Sequence, residues 1–269
     1  MLPPRVFDVV AGRLAELEEE EPVLCAWRTE CGLVKRRPFG RLRSRLRARV
    51  RPAGKGPVSS PAERQVVMLV AASTPATIGT LSPVADELRG RDATPFLVVT
   101  PNMQRFAHDS KARFAPILQL FDLIPKARRA VIRRRSRDLG SRLRRCLRPF
   151  SDNNAEVWIE QGLLAKEVAA TMFRDAGAVV TESDLEGWRK GFVLGARSVG
   201  VPTAILQHGL FGAHHFPVHS EYLFCWGDYF CETAAEHGVP TTACLPVGCP
   251  RFDDLCRSRV ADQQANGDV

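Results

Sequence analysis

Four of the six histidines in this 269-residue chain fall within twelve positions. They are His208, His214, His215 and His219 of Gln207-His208-Gly209-Leu-Phe-Gly-Ala-His214-His215-Phe-Pro-Val-His219. A neutral imidazole near pH 7 can take a proton from a substrate hydroxyl. The segment directly follows Thr203-Ala-Ile-Leu206, a short apolar run that reads as a buried strand, with His208 two residues past its end. The carboxyl end of such a strand is where α/β proteins place working residues, so His208 is the candidate catalytic base. Gly209 and Gly212 would let the backbone approach a ligand closely. Gln207, Gly209, His214 and His215 are the candidate substrate contacts. Two other readings stand beside this one: the histidines are structural, or some of them bind a metal with Cys225 or Cys231. The spacing matches no zinc pattern, so no metal is expected.

A second loop, Ser73-Thr-Pro-Ala-Thr-Ile-Gly-Thr80, follows the apolar run Val66 to Ala72 and leads into a helix. Its small residues and hydroxyls lie ahead of a helix N-terminus, where free N–H donors can hold an anionic group. Ser73, Thr74, Thr77, Gly79 and Thr80 are the candidate contacts. The loop contains neither G-x-G-x-x-G nor G-x-x-x-x-G-K-[ST], so a dinucleotide or Walker-type site has no support. A plain connection is the alternative.

The formal charge of +8 is unevenly spread. Lys35 to Arg51 and Lys126 to Arg148 hold 20 of the 38 Lys and Arg and one of the 30 Asp and Glu. The rest of the chain is acidic, which disfavours a nucleic-acid partner, and no zinc-finger or RNP signature is present. In the second segment Ala127, Val131, Leu139, Leu143 and Leu147 fall near helical spacing. That pattern fits a solvated helix on the domain or a basic amphipathic helix on an anionic membrane surface. Arg128, Arg133, Arg134 and Arg135 are its candidate membrane or acceptor contacts.

The elements that must carry these residues are α/β. Val66 to Ala72 and Phe96 to Thr100 read as buried strands around a helix that holds Pro83 in its first turn and stops at Gly90. Ala178 to Thr181 is a strand, and Ser183 with Glu186 has the form of a capping box. Leu185, Trp188, Phe192, Ala196 and Val199 then make one apolar helix face. Gly200-Val-Pro-Thr203 and Gly238-Val-Pro-Thr241 each end a helix and open a strand, the latter two strands being Thr203 to Leu206 and Ala243 to Val247. Tyr222 to Trp226 is a further strand. Right-handed crossovers make this one doubly wound parallel sheet over residues 63–256. Residues 1–62 read as an appended helix (Val6, Val10, Leu14, Leu17), an arginine-rich arm and a Pro/Gly linker; residues 257–269 read as a disordered tail.

The longest apolar run has seven residues, far short of the roughly 20 of a membrane span. No apolar signal segment follows Met1, and the eight cysteines include no C-x-x-C pair. Reduced thiols in the cytoplasm are therefore expected.

The run Gly195-Ala-Arg-Ser-Val-Gly-Val-Pro-Thr-Ala-Ile-Leu-Gln-His-Gly209, then Cys225-Trp-Gly227, then Pro246-Val-Gly-Cys-Pro-Arg-Phe-Asp253 resembles the amino-terminal half of GT-B enzymes. The group it resembles is the bacterial surface-polysaccharide glycosyltransferases and teichoic-acid glycerophosphotransferases. Ser82 to Gly90 is similar to the first helix of nucleotide-sugar glycosyltransferases. The chain has Gly79-Thr80 where many such enzymes have Gly-His, and Gln207 where the glycerophosphotransferases have Trp before His-Gly. The resemblance implies a single Rossmann-like GT-B N-terminal domain with a helical and basic N-terminal extension. It also implies a transferase for cell-envelope polysaccharide or polyol-phosphate synthesis, with His208 as base and no bound cofactor. The expected partners are a nucleotide-activated sugar or glycerol donor, a lipid-linked acceptor and the inner face of the plasma membrane. Only the acceptor-side half is recognisable, so the donor is expected to need another domain. An accessory binding protein or a truncated relic is the alternative, and a basic nucleic-acid-binding protein is the second.

Overall fold

A computed structural model of the protein describes residues 15–25, 61, 65–70, 75–109, 112–146, 155–210 and 215–253. Seven strands form one sheet: β1 (Gln65–Val70), β2 (Thr94–Val99), β3 (Arg113–Pro116), β4 (Ala178–Thr181), β5 (Thr203–Leu206), β6 (Tyr222–Cys225) and β7 (Cys244–Pro246). Their spatial order is β3-β2-β1-β4-β5-β6-β7, with every pairing parallel. The order reverses between β1 and β4. Connections from these neighbours leave on opposite faces, which opens a crevice at their carboxyl ends.

The central strands are apolar on both sides because both faces are covered. Met68, Val70, Leu97 and Val99 pack under α1 (Pro75–Gly90) and α2 (Gln104–Asp109). Val67, Leu69, Phe96 and Val98 pack under the opposite layer. That layer is α3 (Ile117–Leu123), α4 (Lys126–Cys146), α5 (Ala155–Met172) and α6 (Gly187–Arg197). Beyond it, α7 (Asp228–Glu236) covers the β6–β7 end. Residues 15–25 also join this layer: Leu17 and Leu24 are buried in the same core, and Glu21 pairs with Arg135 and Lys166. This part of the N-terminal extension is thus built into the domain. The arginine-rich arm and the tail after residue 253 lie outside the described residues.

The two Gly-Val-Pro-Thr junctions work alike. Gly200 and Gly238 adopt φ of 79° and 84°, and the next residue's N–H returns to the carbonyl of Ala196 or Ala234, closing the last helical turn. At the end of α1 the left-handed residue is Asp92 (φ 58°), with Ala93 N–H on the Leu88 carbonyl. Gly90 remains helical, so the stop lies two residues later than expected. The capping box is also absent. Ser183 Oγ accepts from Leu185 N–H in a local turn, and α6 begins at Gly187 behind Glu186 without a side-chain cap.

The apolar stripe of α4 keeps Leu139 and Leu143 of the expected one but differs in its first half, where Ala127 is exposed. Ile132, Leu139 and Leu143 are buried, whereas Val131 is 57% exposed. The helix rests on the domain through this face, with ion pairs from Arg128 to Glu167, Arg133 to Glu160, Arg142 to Glu20 and Arg144 to Glu156.

The tightest contact in this layer is between α5 and α6. Gly187, Gly191 and Gly195 form a strip along α6. A Cβ on Gly191 would strike the Gly162 carbonyl, and one on Gly195 the Lys166 carbonyl. Backbone cannot yield as a side-chain tip can. Gly191→Ala is therefore expected to destabilise the protein by about 1–3 kcal/mol, despite a gain of about 1 kcal/mol in helix propensity. Gly90→Ala, with nothing within 4 Å of the new methyl, carries no such cost. Urea unfolding of both variants checks this; an unchanged midpoint for Gly191→Ala would show that the helices are not in backbone contact.

Candidate functional site

The crevice is lined by the segments that follow β4 and β5. Thr181 ends β4, and its hydroxyl donates to the Ser183 carbonyl (2.7 Å), which turns the chain sharply. Glu182 and Asp184 are thereby folded inward, 2% and 1% exposed. Buried carboxylates need cations, and α6 supplies them from two adjacent positions, Arg189 and Lys190, both also buried.

Arg189 Nη2 lies 3.0 Å from Glu182 Oε1 and donates to Glu186 Oε1 at 3.1 Å. Its Nε stands 2.8 Å from Glu186 Oε2 as an ion pair without hydrogen-bond alignment. Glu182 Oε2 has no hydrogen-bond partner. A buried carboxylate oxygen left so is costly, of order 1–3 kcal/mol, unless a ligand supplies a donor. Asp184 Oδ2 accepts from the His219 backbone N–H at 2.7 Å. Lys190 Nζ lies 3.2 Å from His219 Nδ1, which also faces Asp184 Oδ2 at 3.7 Å. Arg197 donates to the His219 carbonyl at 2.5 Å. The far end of the histidine segment is thus tied to α6.

His208, half-buried, places Nδ1 3.0 Å from the Glu182 carbonyl oxygen. A carbonyl accepts and never donates, so Nδ1 carries the proton. In the neutral ring Nε2 then holds a lone pair. That is the arrangement a general base requires: one nitrogen fixed by the protein, the other available to a hydroxyl.

Gln207 is fully buried. Its Nε2 donates to the Gly209 carbonyl (2.9 Å), its Oε1 accepts from Trp226 N–H (2.7 Å), and its own carbonyl accepts from Trp226 Nε1 (2.7 Å). It joins the ends of β5 and β6 and so fixes where His208 starts. Gly209 follows it at the crevice rim, and His215 is half-buried. His214, Ser73 and Thr74 lie outside the described residues. Thr77 and Thr80 are buried within α1. The open side of Gly79 is filled by the Arg251 stem, whose Cδ is 3.0 Å from where a Cβ would be. Arg251 comes from the turn Pro250–Phe252, which packs on α1. Of the arginines on α4, Arg128, Arg133 and Arg135 are paired with Glu167, Glu160 and Glu21, and Arg134 is exposed.

Cys225, Cys231 and Cys244 gather beneath α7, their sulfurs within 4.8 Å of one another. Burial pushes the Cys244 thiol up to about 11 and the Cys225 thiol further. Sequence reasoning missed Glu182, Asp184, Arg189 and Lys190. Their signal was legible: two acids at a strand's carboxyl end, followed one to two helical turns later by two cations beside the apolar face.

This topology is Rossmann-like. No family model matches the chain, and no curated protein matches it. Among solved structures it is similar to SsfS6, a glycosyltransferase of Streptomyces sp. SF2575, at 15% identity and a TM-score of 0.28. The match covers 53% of this chain and 39% of that one, so the chain spans well under half of that structure.

Asp184 offers a test of the buried network. Burial alone would raise its pKa, but hydrogen bonding from His219 and the Lys190 charge outweigh it and hold the carboxyl below the usual range. A carboxyl lowered on folding stabilises above its unfolded value of about 3.9, and that contribution is lost as pH falls through the folded value. Asp184→Asn, which leaves Lys190 buried without its counter-charge, is expected to cost about 3–5 kcal/mol at pH 7. The difference from the parent protein should shrink as the pH is lowered from 5 toward 2. Urea unfolding across that range decides it, and a pH-independent difference would mean that Asp184 is not the charged partner.

Proposed function

We propose that this chain is the acceptor-side part of a GT-B-type transferase that acts in cell-envelope polysaccharide or polyol-phosphate synthesis. The observation that carries the reading is His208, with Nδ1 committed to the Glu182 carbonyl and Nε2 left for a substrate. Its position beside the switch point of the sheet and the resemblance of the segments around Gln207-His208-Gly209 and Pro250-Arg251 support it.

In this reading an acceptor hydroxyl gives its proton to His208 Nε2. The oxygen then attacks the anomeric carbon, or the phosphorus, of a nucleotide-activated sugar or glycerol donor, and the nucleotide leaves with the bonding pair. The donor's nucleotide is held mainly by another domain or chain, and the acceptor is lipid-linked at the inner face of the plasma membrane. The buried apolar face of α4 is not available for insertion into that membrane. Contact with anionic headgroups would therefore rest on outward cations such as Arg134.

Removing a general base typically lowers rate by about 10² to 10⁴. In a reconstituted system that turns over, His208→Ala should lose that much while circular dichroism and melting stay unchanged. Full activity in the variant would exclude His208 as base. A folded variant with lost turnover but intact acceptor binding separates the catalytic reading from that of an accessory binding protein.

A nucleotide donor site of micromolar affinity is worth about −8 kcal/mol, which takes a base pocket, ribose contacts and several diphosphate donors. The described crevice offers few of these. The chain alone is therefore expected to show no binding of sugar nucleotides or nucleotide-activated glycerol by calorimetry at micromolar concentrations. Tight stoichiometric binding would mean that the crevice is itself the donor site.

A further inference from the structure

The cysteines beneath α7 come from three elements that the topology forces together. Cys225 closes β6 and Cys244 opens β7, the neighbouring strand, on the same face of the sheet. Cys231 lies on α7, which crosses that face between them in sequence. All three sulfurs lie within 4.8 Å of one another. Cys225 and Cys244 are buried and Cys231 is half-buried, which leaves one edge open to solvent. Three sulfurs bonded at about 2.3 Å each stand about 4 Å apart around a planar centre and about 3.5 Å apart around a pyramidal one. The spacing present needs little adjustment.

Sequence spacing alone gave no reason to expect an ion here, since C-x5-C and a cysteine 13 residues further on match no zinc pattern. We infer that Cys225, Cys231 and Cys244 form a three-coordinate, all-sulfur site for a single soft, thiophilic ion. Among the described residues no fourth His, Cys, Asp or Glu joins the group, whereas structural zinc takes four ligands. Soft ions that accept three thiolates are the class that fits.

The surroundings narrow that class by charge. The residues packed around the sulfurs are apolar, among them Ile205, Leu223, Ala234 and Val239. Three thiolates on a monovalent ion leave two negative charges there, and on a divalent ion one. On trivalent arsenic or antimony they leave none, and an apolar pocket favours the uncharged product. With arsenous acid the chemistry balances without redox change. Three S–H and three As–O bonds break, three As–S bonds form, and the thiol protons leave with the hydroxyl groups as three waters. Cys231, on the exposed edge, makes the first bond, and the buried pair closes the site.

The test uses the full chain with its other cysteines intact, reduced with a phosphine, and arsenite as the probe. Native mass spectrometry should show one arsenic bound with loss of three protons, and a thiolate-to-arsenic ultraviolet band should saturate at one equivalent. Bound arsenite should shield Cys225, Cys231 and Cys244 from maleimide labelling, read by peptide mapping. Cys231→Ser should weaken binding by more than the roughly 10- to 100-fold that follows loss of an outer-shell partner. Cys249→Ser should leave it unchanged. Because the labelling arm needs no variant, a poorly folded Cys231→Ser leaves the proposal testable. Binding equal in Cys231→Ser, shielding of other cysteines instead, or no complex at one equivalent would each overturn it.

Discussion

The backbone contact between α5 and α6 is the constraint on which the rest of this structure depends. Because Gly187, Gly191 and Gly195 carry no Cβ, α6 sinks against Gly162 and Lys166 until nearly all its sides are buried. Arg189 and Lys190 sink with it. Two buried cations cannot stand alone, and the turn after β4 answers them with Glu182 and Asp184. Once Glu182 is drawn in, its carbonyl is in place to fix one nitrogen of His208. A packing choice on the outer side of a helix thus sets the state of an imidazole in the crevice. The coupling runs through consecutive contacts, each with a stated partner.

Such a network is an expensive way to hold a loop. Replacing buried ion pairs by apolar residues of similar volume is often neutral or stabilising, so stability by itself gives this arrangement little advantage. What it provides is fixed position. Lys190 and Arg197 hold the His219 end of the histidine segment, Gln207 and Trp226 hold its start, and the unpartnered oxygen of Glu182 remains among them. The polar groups are concentrated at the carboxyl ends of β4 to β6, where an open α/β sheet places its ligand. The basic helix α4 differs in kind: apart from Arg135, which meets the buried Glu21, its paired arginines meet exposed or half-exposed acids, and surface pairs of that type contribute little each.

Much of the fold was legible because it is written in local chemistry. The two Gly-Val-Pro-Thr junctions specify a left-handed residue, a helix stop and a strand start in four positions, and the structure places β5 on the residues expected, Thr203 to Leu206. Unbroken apolar runs gave β1, β2 and β4 within a residue or two. Short β3, Arg113 to Pro116, has no such run; it is a strand because β2 offers an edge. The first half of the α4 stripe was misplaced because Ala127 and Val131 fit the helical period with Leu139 as well as Ile132 does, and only the position of α5 chooses between them. The site divides in the same way. His208 followed from its place after a strand, while Glu182, Asp184, Arg189 and Lys190 drew no notice because charged residues at those spacings usually face water.

The meeting of Arg251 with Gly79 bears on how this protein is made. Residue 79 lies in the first helix of the sheet, and the residue that covers it is synthesised more than 170 positions later. On the ribosome, α1 can therefore form its turns and dock on β1 and β2 while its surface near Gly79 remains a bare notch. Closing so long a loop adds only slowly to the entropic cost, since that cost grows with the logarithm of length. It does postpone the last burial until β7 has joined the sheet and the turn at Gly248 has sent the chain back. A nascent chain thus keeps this notch uncovered until its Pro250–Phe252 turn arrives.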